Sequence, residues 1–360
     1  MIRIEVLPAA FGDCLFIEYG SAASPHRILI DAGLAATFQT ALAPRLARLP
    51  APVALELLVV THIDRDHICG ILPLLRAAPR LVEPADVWFN GRDHLTGDEL
   101  GAKEGEALGK LLMKAHLPWN AAFGPHARHA VVVPDRGALP TTTLPGGAVI
   151  TLLSPYAGAL AALAREWDDQ LGAWDAEPEP TPAPAVPQIG DDLLGKRPPL
   201  ESIDVDTVRE LADAELTEDT AKPNGSSIAF LFEYHGKRIL FGADANPSQL
   251  LRSLDRLSDE PIELDAFKLS HHGSMNNISR DLLAKIRCPR FLVSSNGDSF
   301  GHPHPETLAC IVTASPKKKT LCFNYETPYT TVWNEPSTMK KFAYDVAYPE
   351  DPAAGYVLSL

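Results

Sequence analysis

Four candidate metal ligands fall within six residues, at the end of an apolar run. Leu55 to Val60 reads as a buried strand. It is followed by Thr61-His62-Ile63-Asp64-Arg65-Asp66-His67-Ile68-Cys69-Gly70. Imidazole and carboxylate together suit Zn²⁺, Mn²⁺ or Fe²⁺. In the turn after a strand, the backbone can aim His62, Asp64, Asp66 and His67 at one point. A helix is expected from His67 to Ala77, its N-terminus adding positive potential beside the ligands. Strand, ligand loop and helix in that order fit an α/β chain. The competing reading is a polar loop with two surface histidines and two capping aspartates; the density of the cluster argues against it.

Other candidates also stand at strand ends. Ile2 to Leu7, Cys14 to Tyr19 and Arg27 to Ile30 read as three opening strands, the third running into Asp31-Ala32-Gly33. A buried carboxylate at Asp31 can accept from a ligating imidazole and fix its tautomer; an ordinary turn aspartate is the alternative. Leu34 to Leu49 reads as a helix kinked at Pro44. Ala130 to Val133 and Ala148 to Leu153 read as further strands. Lys237 to Phe241 leads to Asp244, either a ligand or the cap of a helix from Pro247. Asp265 to Ser270 leads to His271-His272-Gly273-Ser274. Phe291 to Ser294 leads to Asn296 and then to a loop holding His302 and His304.

The His-x-Asp-x-Asp-His stretch resembles the signature of the metallo-β-lactamase superfamily of dinuclear metal hydrolases. With Asp at its third position it resembles more narrowly the nuclease-like domain of the DNA-uptake channel protein ComEC, as does His-His-Gly-Ser. The resemblance implies a four-layer αββα sandwich. It implies two divalent ions, Zn²⁺ or Mn²⁺. His62 and Asp64 would hold one; Asp66, His67 and one of His271 and His272 the other; Asp244 would bridge them. Asp31 would support the metal turn. Gly12-Asp13, Asn224 in Asn224-Gly225-Ser226-Ser227, Ser274, and Asn296 with Gly301-His302-Pro303 also resemble positions of the ComEC-like group. Catalysis would rest on Asp66, His272 and His302, with Asp13, Asn224, Ser274, Asn296 and His304 as substrate contacts or supports. A third histidine common on the first metal has no counterpart, which leaves a harder donor set. The likeness fails over about Gly91 to Pro223.

The chain has 360 residues, 46% hydrophobic and 22% charged, a globular composition. We expect one domain over 1–360, with a first half (1–164), an acidic, Pro-rich, flexible insertion (165–222) and a second half (223–360). Glu177 to Pro199 carries seven prolines in 23 residues, and Asp206 to Leu216 is the one helix expected near it. The insertion is a candidate for covering the site or docking a regulatory partner. The net charge of −14 argues against broad adhesion to nucleic acid or an anionic membrane. Five cysteines without paired spacing read as buried thiols. With no signal peptide or membrane span expected, the cytoplasm is the default location. The leading function is phosphodiester hydrolysis, of nucleic acid or a nucleotide. Hydrolysis of a carboxylic ester, lactone or lactam is the alternative, and a degenerate binding protein the third.

Overall fold

A computed structural model describes residues 1–94, 103–124, 129–174, 197–314 and 318–360. Two sheets carry the fold. One has six strands in the order Tyr356–Ser359, Ile2–Val6, Leu15–Ser21, Ser24–Ile30, Leu57–Val59, Val87–Trp88. The other has eight: Tyr344–Ala347, Lys319–Phe323, Arg290–Val293, Ala266–Lys268, Lys237–Phe241, Ala229–Tyr234, Val149–Ser154, Thr141–Thr143. Each sheet joins an antiparallel meander to parallel strands.

The sheets face each other across one core. Tyr19 of the first meets Phe232 of the second at 5.5 Å between ring centroids, and Trp88 meets Phe230 at 6.4 Å. Successive strand residues point to opposite faces, so each sheet has a second face to cover. On the first, Phe16, Leu29 and Leu58 pack with Ala41, Leu42 and Leu46, Ile71 and Leu74, and Leu108 and Leu112. On the second, helix Pro247–Leu257 buries Leu250 and Leu254, one turn apart, and helix Pro305–Thr313 buries Thr307 through Val312. Helix, sheet, sheet, helix is the expected four-layer αββα sandwich.

Several local expectations change. The Leu34 to Leu49 helix contains a π-turn, Phe38–Leu42, because Pro44 has no N–H and the Ala43 N–H reaches back to Phe38. The helix expected from His67 to Ala77 is two pieces, Arg65–Ile68 and Ile71–Arg76. It breaks at Gly70, where a Cβ would lie 2.0 Å from the Ala32 carbonyl oxygen. A four-residue helix has little macrodipole, so the expected positive potential is small. Leu55 to Val60 is split at Glu56: Val53–Leu55 pairs with Val82–Pro84 in a separate two-stranded sheet, and Leu57–Val59 joins the six-stranded one. Ala130 to Val133 forms no strand: the Asn90 amide pairs with both backbone groups of Val131, and the Asn120 amide takes the His129 carbonyl.

Of the stretch 165–222, residues 175–196, with most of the proline-rich run, lie outside the described residues. The sequence pattern also predicts an amphipathic helix over Gly97 to His116 and shows a basic run, Lys317-Lys318-Lys319; residues 97–102 and Lys317 lie outside the described residues too. From Arg197 onward the chain is packed. Helix Val205–Ala212 lies on helix Pro305–Thr313 and buries Val208. Lys318 pairs with Asp345, and Lys319 is buried. Among the described residues no helix is long and apolar enough to cross a membrane.

Candidate metal centre

Every candidate ligand stands where a parallel strand ends. Asp31 follows Ser24–Ile30, the metal turn follows Leu57–Val59, Asp244 follows Lys237–Phe241, and the His271-His272 pair follows Ala266–Lys268. The carboxyl ends of parallel strands are where α/β sheets place their ligands. Here two sheets contribute to one point.

Asp244 is its centre. Its Oδ2 lies 3.4 Å from Nε2 of His67 and 3.8 Å from Nε2 of His62, His271 and His272. Asp64 Oδ2 approaches His62 Nε2 to 3.5 Å. Asp66 Oδ2 lies 3.3 Å from His272 Nε2 and 3.7 Å from His67 Nε2, and those two nitrogens face each other at 3.3 Å. Asp244 does not cap the following helix; Asn246 holds that position. Asp64 does stand at the N-cap of Arg65–Ile68, but its side chain makes no capping bond, so the carboxylate stays available.

The far side of each ring is occupied. His67 Nδ1 meets Asp31 Oδ2 at 2.8 Å, and Asp31 also accepts from the Thr61 N–H (2.8 Å) and hydroxyl (2.7 Å). His62 Nδ1 meets the Thr61 hydroxyl oxygen at 3.0 Å. His271 Nδ1 meets Asn277 Oδ1 at 2.9 Å and stands 3.3 Å from Asp219 Oδ2. His272 Nδ1 faces Asp13 Oδ1 at 3.3 Å, an ion-pair distance without hydrogen-bond geometry. With the Nδ1 of His62 and His67 carrying the proton toward these acceptors, their Nε2 atoms keep a lone pair for the centre. Asp31, Ala243, His271 and His272 all hold positive φ, a strained backbone that persists only where its surroundings enforce it.

The electrostatics demand positive charge. Burial alone would lower the pKa of His271, but Asp244 and Asp219 outweigh it and raise it to about 10. His67 and His272 are raised against the same burial, chiefly by Asp244. Burial would raise Asp244, yet the histidines, His67 first, hold it well below the carboxylate range; Asp66 is lowered in the same way. Buried His62 Nε2 and Asp244 Oδ1 have no hydrogen-bond partner. Lone pairs and carboxylates converging in a dry place fit divalent cations. Among the described residues, ligand atoms within 4.8 Å of one another form three groups: His62, His67 and Asp244; Asp66, His67 and His272; and Asp13, Asp31 and His67.

The remaining candidates divide. His302 is buried, its ring 5.1 Å from that of His271 and 6.3 Å from that of His272. Burial and the neighbouring histidines hold its pKa well below normal, and its Nδ1 has no partner. Asn224 Nδ2 binds Asp219 at 2.6 Å and approaches His271 Nδ1 to 3.4 Å. Ser274 caps the next turn by accepting from the Asn276 N–H, and His304 Nδ1 accepts from the Met275 N–H. Asn296 bonds Asp298 and the Ala10 carbonyl, with no bond to the centre.

Thr61, Asp219, Lys268 and Asn277 escaped sequence reasoning. Lys268 carried a signal: it is a charge inside the apolar run Ala266-Phe267-Lys268-Leu269. Asp219 and Asn277 carried none; only tertiary structure brings them to His271.

No family model matches the chain, and no curated protein matches it. Solved structures do. The metallo-β-lactamase fold protein YhfI from Bacillus subtilis is 12% identical with a TM-score of 0.43, over 99% of this chain and 98% of that one. Zn²⁺-bound PqqB from Methylobacterium extorquens is 11% identical with a TM-score of 0.41, over 100% of both. A mutant of the CmlA β-hydroxylase is 13% identical with a TM-score of 0.41, over 100% of this chain and 54% of that one; this chain spans about half its length. Likeness at this level says nothing about the reaction.

Proposed function

We propose that this chain is a metal-dependent phosphodiester hydrolase with a dinuclear centre. The observation that carries the proposal is one carboxylate oxygen, Asp244 Oδ2, within 3.8 Å of four imidazole nitrogens, with Asp64 and Asp66 on either side. His62 and Asp64 would hold one ion, Asp66, His67 and His272 the other, and Asp244 both. Bound there, two divalent ions supply a hydroxide at neutral pH and neutralise charge on the phosphoryl oxygens.

The protein's own part is orientation and protons. Asp31 and Thr61 fix the rings of His67 and His62. Asp219 and Asn277 hold His271 with Nε2 inward, in place to give its proton to the leaving oxygen. Neutral His302 is free to hydrogen-bond a phosphoryl oxygen through its unpartnered nitrogen. The carboxylate-rich donor set favours phosphorus over a carboxylic ester, and the likeness of His271-His272-Gly273-Ser274 to the ComEC-like group supports the same choice.

The test is hydrolysis of bis-p-nitrophenyl phosphate and of labelled single- and double-stranded DNA, with Mn²⁺, Zn²⁺ or Mg²⁺. The Asp66→Ala, His67→Ala double variant is the control. Metal-dependent cleavage absent from the control is expected. A metal-loaded wild type that cuts none of these, yet opens an ester or lactone, would replace this reading.

A further inference from the structure

Behind His272 lies a buried ion pair that the chemistry above does not use. Lys268 and Asp13 are 0% and 1% exposed, and Lys268 Nζ sits 2.6 Å from Asp13 Oδ2. The other oxygen, Asp13 Oδ1, faces His272 Nδ1 at 3.3 Å, a charge contact outside hydrogen-bond geometry. The ammonium also donates to the Leu269 carbonyl at 3.0 Å, two residues before the histidine pair. Lys268 thus binds both the carboxylate behind His272 and the backbone leading into it.

A hydrophobic pair of similar volume would fill this place at no greater cost, because burying two charges is expensive. A site selected for stability alone has no need of the pair. The orientation of Asp13 supplies a need. An unpaired Asp13 beside Asp66 and Asp244 would add a further carboxylate free to turn toward the cations. Held by Lys268, it presents one oxygen to an imidazole instead.

We infer that Lys268 is a positioning residue of the metal centre: through Asp13 it holds His272 with Nε2 toward Asp66 and Asp244, and it keeps Asp13 out of the ligand set. The inference rests on the metal-site reading above and is independent of the substrate.

The test compares wild type, Lys268→Met, and the double variant Asp13→Leu, Lys268→Met, by thermal melting without metal and by Mn²⁺ titration calorimetry. Lys268→Met alone leaves an uncompensated buried carboxylate and should melt earlier or fail to fold. The double variant removes both charges and should recover the wild-type melting temperature. Its Mn²⁺ affinity should stay 10- to 100-fold below wild type, the usual loss when a support of a ligating histidine is removed. The visible absorption of the Co²⁺-loaded double variant should change too, while that of surface control Lys318→Met should not. Recovery of both melting temperature and affinity would make the pair structural and overturn the inference, as would a double variant that does not fold. A wild type that binds no metal would sink both readings; equal binding by wild type and double variant sinks only this one.

Discussion

Gly12→Ala should disable metal binding through a single methyl group. Gly12 packs against the backbone of the metal turn, where an added Cβ would lie 2.0 Å from the Asp66 carbonyl oxygen and 2.9 Å from its carbon. Ordinary contact begins at 3.4 Å, so the two backbones must separate by about 1.4 Å, the difference of those two distances. Neither side can yield freely. The Asp13 N–H donates to that same Asp66 oxygen at 3.2 Å, and the buried Ser294 hydroxyl donates to the Gly12 carbonyl at 2.8 Å. Overpacking of this kind costs about 1–3 kcal/mol. The effect on the centre should be larger, since ligand distances must hold within about 0.2 Å. Displacing Asp66 by over an ångström should weaken Mn²⁺ or Zn²⁺ binding at least tenfold. Gly158→Ala is the matched control: nothing lies within 4 Å of its Cβ position, at an exposed place on helix Ala157–Trp174. It should gain up to about 1 kcal/mol and leave metal binding unchanged. The assay is titration calorimetry beside urea melts. Gly12→Ala with wild-type metal affinity would refute the claim that this turn braces the metal loop.

Other perturbations separate the supporting residues. Asp31→Asn puts an NH₂ where three donors converge, so one donor must go unmet; stability should fall by about 1–3 kcal/mol and metal affinity by roughly 10- to 100-fold. An unchanged affinity would remove Asp31 from the site. Asp219→Asn should leave metal affinity nearly intact but lower kcat roughly tenfold or more, because it supports His271 rather than a ligand; loss of metal would make His271 a ligand. Burial, with Arg197 nearby, holds His304 at a pKa of about 4, against about 6.5 unfolded. Its folded value is depressed, so the unfolded chain takes the proton first. Stability should fall as pH drops from about 6.5 to 4, by up to about 3 kcal/mol. Urea melts at pH 7 and pH 4.5 should show a smaller difference in His304→Gln; an equal one would clear His304. Removing metal with a chelator should lower stability by about 2.7 kcal/mol relative to metal held at a hundred times its Kd.

What the sequence made legible was what local spacing can encode. His62, Asp64, Asp66 and His67 share one turn, and His271 and His272 share another, so their density is visible without a structure. The alternation of Ile2 to Val6 and the apolar run before Asp244 place strands for the same reason: periodicity is local. What stayed hidden depends on distant pairings. Asp219 reaches His271 only because helix Val205–Ala212 packs on helix Pro305–Thr313 and the Asp219 N–H binds the Asn276 carbonyl. Val131 looked like a strand residue, but its backbone is satisfied by the Asn90 side chain, and alternation does not reveal which partner a backbone group takes. Thr141–Thr143, at the edge of the larger sheet with two of its three residues exposed, carried too little apolar pattern to register.

The centre is also a joint in the fold. His62, Asp64, Asp66 and His67 ride on the first sheet, and Asp244, His271 and His272 on the second. Their convergence is poorly served by the protein alone. Four residues there hold left-handed backbone, and the Nε2 atoms of His67 and His272 are brought to 3.3 Å of each other. Each such feature costs free energy that apolar packing between Tyr19 and Phe232 or Trp88 and Phe230 does not recover at that spot. A cation bound to donors from both sheets offsets that cost where it arises. In its absence, protons on the imidazoles are the remaining source of positive charge, as the raised values of His67, His271 and His272 show. Protons and metal therefore compete for the same lone pairs, and the same arrangement that attracts a divalent ion must make its affinity fall toward acid pH.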